Sequence, residues 1–226
     1  KGVSLVRRLA LPATVLTCAL VLAAQAALIS GGGTLATRAN DLTQCLAAFA
    51  AAIACLRAAA RQGHRTQRAG WLLLAPGCLT WGLGRLAQSA YELGLHRSAP
   101  FPSLADVGFV AFVPLTAWGL VLFVRAPSRG ALRLRGMVEA LLIGCSLLLT
   151  AWATVLPSVI EQSGNAGLSF GLSVGYLFGD LVLIALAVFG FARTSSAHRP
   201  SMALVSLGVL VIAAADAGFA YAAATG

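Results

Sequence analysis

Charge is what this chain has least of. Of its 226 residues, 10% are charged and 59% are hydrophobic, and mean hydropathy is +0.87. A soluble domain draws on about 25% charged residues to cover its surface, so a soluble globular fold does not fit. Lysine is nearly absent: the one copy is Lys1, ahead of every apolar run. A retinal protein needs a lysine within a helix for its Schiff base, which excludes that chemistry. No G-x-S-x-G elbow, H-E-x-x-H pair or glycine-rich phosphate loop occurs, so no catalytic constellation is visible. The five cysteines (Cys18, Cys45, Cys55, Cys78 and Cys145) form no C-x-x-C pair. They read as small apolar packers, not as a disulfide framework or a zinc site. The alternating ten-residue segments of a transmembrane β-barrel are missing too.

Long apolar runs are what the chain has instead. Seven occur, at about 9–29, 42–60, 70–95, 107–124, 137–156, 168–191 and 202–221. A helix crossing a bilayer needs about 20 residues, and backbone groups in lipid must be bonded within the segment. The expected fold is therefore all-α: a polytopic transmembrane bundle of about seven helices, forming one integral-membrane domain over residues 1–226. The first run follows Arg7 and Arg8 as a signal peptide would. It is longer than the ~7–15-residue apolar core of such peptides, and further spans follow, so it reads as a retained helix.

The formal charge of +9 is distributed by loop. Lys1, Arg7, Arg8, Arg57, Arg61, Arg65, Arg68, Arg125, Arg129, Arg133, Arg135, Arg193 and Arg199 fall on one side, against Arg38 and Arg97 on the other. This is the positive-inside pattern, and it implies a cytoplasmic N-terminus. The basic loops are topology signals that can also meet anionic lipid heads. They do not imply a nucleic-acid partner. The chain opens on Lys1 and stops at Gly226, where the seventh helix would reach the outer face. It is therefore expected to be a piece of something longer.

Ionisable groups at membrane depth cost about 2.5–3.5 kcal/mol each on insertion scales, so each needs a reason. In the third run Trp81, Arg85, Gln88 and Glu92 are spaced 4, 3 and 4 apart, one stripe of a helix. Arg85 lies about 21 Å from the cytoplasmic end at 1.5 Å per residue. Ser169, Ser173, Tyr176 and Asp180 repeat the spacing in the sixth run, and Asp216 falls in the outer half of the seventh. Glu92, Asp106, Asp180 and Asp216 are thus expected to converge on one outward-leaning cavity around Arg85. Arg85 could staple helices by pairing with one or two of them. The surplus acids would be protonated, or would meet a cation, an amine or water. The candidate ligand-sensing residues are Arg85, Gln88, Glu92, Asp106, Tyr176, Asp180 and Asp216.

Asp106 has a second reading. In Pro102-Ser103-Leu104-Ala105-Asp106 the serine stands three residues ahead of the aspartate, before an apolar helix. That is the capping-box spacing: Ser103 would cap the helix and Asp106 would complement its dipole. Pro100 and Pro102 would stiffen the turn. Glu92 and His96 are spaced as a metal pair, but two ligands are too few, so no metal and no cofactor are expected. Glu139 sits in the first turn of the fifth helix, where the dipole favours a carboxylate. Gly171, Gly175 and Gly179 form a small-residue stripe suited to helix packing.

Three segments taken together, YELGLHRSAPFPSLADVGFVAFVPL, GYLFGDLVLIAL and AADAGFAYAAATG, resemble the N-terminal membrane region of actinobacterial signalling proteins that carry GGDEF, often with EAL, domains. The resemblance rests on the tryptophan-containing third helix with its Tyr91-Glu92 ending, the P-x-P-S-x-A-D turn, Pro114, the Gly179-Asp180 pair and the aspartate with aromatics in the seventh helix. It covers about residues 70–226. Leu177 departs from the family, which commonly has proline after the tyrosine. The resemblance implies a sensory or membrane-anchoring input region, joined in cis to a cytoplasmic output domain that makes or degrades cyclic di-GMP, and open to homodimerisation. The GGDEF motif itself is not in this chain. Two other functions compete: a small proton- or cation-coupled transporter, with midplane acids as its binding groups, and a structural anchor in which the acids only hold helices together.

Overall fold

A computed structural model describes residues 34–94, 101–124, 167–193 and 199–225, together with Val138, Leu142 and Ser146. Five helices stand out among the described residues. They are α1 (Thr34–Ala60), α2 (Arg65–Ser89), α3 (Leu104–Val124), α4 (Leu168–Arg193) and α5 (Arg199–Thr225). A π-helical turn, Ala90–Gly94, continues α2 without a break. No strand occurs among the described residues. The expected first helix at 9–29 and all but three residues of the fifth at 137–156 lie outside the described residues.

The four-residue connection between α1 and α2 makes them a helical hairpin. α2 lies between α1 and α3, and α4 lies between α3 and α5. The core is layered accordingly. Phe112 and Leu120 of α3 meet Leu183 and Ala187 of α4 and Met202 and Val209 of α5. A second cluster gathers Cys55, Leu74 and Ala75 under Trp71, Phe123 and Val205.

Size decides which side chains face in. On α1 the buried stripe is Asp41, Cys45, Ala48, Ala52, Cys55 and Ala59, spaced 4, 3, 4, 3 and 4. The large residues Leu42, Leu46, Ile53 and Leu56 face outward. Water would reverse this arrangement, because burying leucine is worth about 1.5–3 kcal/mol. In lipid the outer face has no such penalty, and small residues inside let backbones approach. Three helical stretches, Arg38–Ala60, Leu104–Phe123 and Leu168–Ala192, are long and apolar enough to cross a membrane. The described part of the chain is thus an all-helical bundle suited to a membrane. α2 does not join that set, although residues 70–95 were expected as a span. Gln67 and Arg68 near its start and Arg85 and Gln88 near its end make it too polar, and α1 and α3 cover it on two sides.

The tightest seam lies between α2 and α3. Gly70, Gly77 and Gly84, one heptad apart, face α3. A Cβ on Gly84 would come within 2.8 Å of the Ala105 carbonyl oxygen, and one on Gly108 would run into the Thr80 carbonyl oxygen. Only glycine lets the two backbones cross this closely. The stripe expected to do this work, Gly171, Gly175 and Gly179, does so only at Gly179, which packs on Val113. The other two have open space around them.

Candidate functional site

Two polar networks lie within the bundle where the sequence suggested one. The first spans α1 and α2. Arg85 Nη2 donates to Asp41 Oδ1 at 3.2 Å, the described ion pair of this arginine. Its Nη1 donates to Gln88 Oε1 at 2.8 Å, and Gln88 Nε2 donates to Glu92 Oε1 at 3.1 Å. Helical spacing builds this relay, because residues three and four apart stand over one another on the same face. The side chain of Asp41 is 6% exposed and that of Arg85 16%. Glu92 is half-buried and close enough to Asp41 for the two carboxylates to repel.

Some groups of this network are unfinished. Asp41 Oδ2, Arg85 Nε and Ser89 Oγ are buried with no hydrogen-bond partner. Ser89 stands one turn beyond Arg85, on the same face of α2. One carboxylate meets the guanidinium directly and the second only through Gln88, and an acceptor, a donor and a hydroxyl are left idle. Such a cluster can take up a proton or a small polar ligand.

The second network joins α3 to α4. Ser103 N–H donates to Asp106 Oδ2 at 2.6 Å, the Ser103 hydroxyl donates to the same oxygen at 3.1 Å, and Ala105 N–H donates to Ser103 Oγ at 3.2 Å. This reciprocal pair closes the start of α3. Tyr176 OH then donates to Asp106 Oδ1 at 2.5 Å, across 70 residues of sequence. Pro102 is exposed in the turn ahead of the cap. Both oxygens of Asp106 are occupied, so it fastens α3 to α4 and does not stand over Arg85.

The structure differs from the expected arrangement at two residues, Asp41 and Trp81. Asp41, absent from the expected set, is the acid that meets Arg85. The apolar run was taken to start at Leu42, whereas α1 begins at Thr34 and carries Asp41 two turns inside it. Stepping back along the buried spacing from Cys45 would have reached it. Trp81 leaves the polar stripe and packs on Phe109, with ring centroids 6.1 Å apart. Asp180 is half-buried on α4, one turn past Tyr176. Asp216 falls on α5, and its side chain lies outside the described residues. Among the described residues no group of three or more His, Cys, Asp or Glu is arranged to hold a metal.

No protein-family model, characterised protein or solved structure matches the chain.

Proposed function

We propose that this chain is the membrane-embedded input region of a bacterial signalling protein. The observation that carries the reading is the Asp41–Arg85–Gln88–Glu92 relay, a charged and incompletely bonded network enclosed between two helices of an apolar bundle. A network whose partners are incomplete in one state can be completed in another, which is what a two-state input requires. In this reading the bundle has about seven crossings of the inner membrane, a cytoplasmic N-terminus and an output domain in cis. The resemblance of residues 70–226 to the GGDEF/EAL-associated membrane region supports cyclic di-GMP synthesis or breakdown as the output. The ligand is a small polar molecule or a proton.

The Asp106–Tyr176 fastening favours a second role, a structural anchor, for the α3–α4 half of the molecule. The test is cyclic di-GMP in cells carrying the complete gene, with Glu92→Gln and Arg85→Gln introduced singly. The expected outcome is a several-fold change in the nucleotide at unchanged protein level. Unaltered output from both stably inserted variants would sink the sensory reading and leave the anchor.

A further inference from the structure

The incomplete bonding around Asp41 narrows the ligand. Asp41 Oδ2, Arg85 Nε and Ser89 Oγ are each enclosed by neighbouring protein atoms and bonded to none. A water molecule needs room of its own and two to four polar partners, and a metal ion or an amine needs more. Bringing any of these to the three atoms would mean displacing the side chains that enclose them. A proton occupies no volume, and it converts an acceptor without a donor into a donor.

Three further observations agree. The contact from Arg85 Nη2 to Asp41 Oδ1 is 3.2 Å, long for a bond between full charges, which usually measures about 2.7–2.9 Å. The shortest bond of the guanidinium goes instead to the neutral amide of Gln88, at 2.8 Å. The charged groups facing Asp41 from the helix packed on it are Arg85 and Glu92. With Asp41 ionised the cluster carries a net charge of −1 in an enclosed space. With Asp41 neutral, Arg85 and Glu92 balance through Gln88, and no net charge is buried.

We propose that Asp41 binds an exchangeable proton on Oδ2, the oxygen left without a partner, with Oδ1 kept as the acceptor for Arg85. This names the proton as the ligand of the site described above and rests on the sensory reading only for its physiological role. Loss of the proton leaves a second negative charge beside Glu92 and pulls Arg85 toward Asp41, away from Gln88. The relay is thereby redrawn from one end.

The test uses the whole chain in lipid nanodiscs and infrared difference spectra recorded across a pH titration. An Asp41-dependent carbonyl stretch of a neutral carboxylic acid is expected. It should be lost on alkalinisation, absent from Asp41→Asn, kept in Glu92→Gln, and shifted in Asp41→Glu, which moves the carboxyl group. A band removed by Glu92→Gln and kept in Asp41→Asn would overturn the assignment, as would a wild-type spectrum with no Asp41-dependent band at any pH at which the protein stays folded. Should Asp41→Asn fail to insert, Asp41→Glu decides, because an unshifted band also overturns the proposal. Proton binding at Asp41 with no pH effect on the output of the complete protein would leave this assignment standing and overturn the sensory reading instead.

Discussion

Asp41 and Asp106 are both aspartates buried among helices, 4% and 8% exposed, and they are bonded in opposite ways. Asp106 is filled: a backbone N–H and a hydroxyl serve one oxygen and a phenol serves the other. Asp41 has one long bond to one oxygen and none to the other. Burial alone does not tell what a carboxylate is for. A saturated one has nothing left to bind and holds elements together. An unsaturated one keeps an unmet demand in the folded state, and something must meet it when conditions change.

Matched substitutions should separate the two. Asp106→Ala strands the Ser103 N–H and the Tyr176 hydroxyl and removes half of the reciprocal cap, so it should cost about 3 kcal/mol in unfolding of the whole chain from mixed micelles. Gly108→Ala should cost about 2–3 kcal/mol, because the methyl meets the Thr80 carbonyl and forces α3 off α2. It should also unseat Asp106 while leaving the Asp41 carbonyl band in place; loss of that band would show the two networks to be one. Tyr176→Phe removes a single bond to a carboxylate and should cost about 1.5 kcal/mol, read in the same assay. Asp41→Asn is the smallest change. The amide mimics a neutral acid, so stability should move by less than about 1 kcal/mol and lose whatever pH dependence Asp41 confers. A loss above about 3 kcal/mol, the usual result of breaking a buried ion pair, would show instead that Asp41 works as a permanent anion.

Some of this organisation is legible from residue order, because local spacing is local structure. Ser103 and Asp106 lie three apart and cap α3. Arg85, Gln88 and Glu92 lie three and four apart and form a relay. Pairings between helices are another matter. That Asp106 meets Tyr176 and Arg85 meets Asp41 depends on which helices are neighbours, and periodicity along one helix carries no such information. The glycines show the same limit. Gly70, Gly77 and Gly84 were as evident as Gly171, Gly175 and Gly179. The first set became a seam because α3 offers Gly108 and Gly119 opposite it, whereas in the second only Gly179 has a neighbour, Val113 of α3, and Gly171 and Gly175 have open space around them. Asp41 was missed for a different reason. A polar residue at the head of an apolar run looks like the last of the loop, whereas its phase continues the buried stripe.

The π turn at Ala90–Gly94 has a mechanical consequence. Such a turn holds one residue more than the α-helix needs, and Glu92 sits on it. If that extra residue slides out, everything beyond it advances by one position, a rotation of about 100° and a shift of about 1.5 Å along the axis. No helix has to melt for this to happen. The carboxylate at the far end of the relay is therefore mounted on a part of the backbone that can turn in steps, and the bond from Gln88 to Glu92 is the catch that holds it in its present setting.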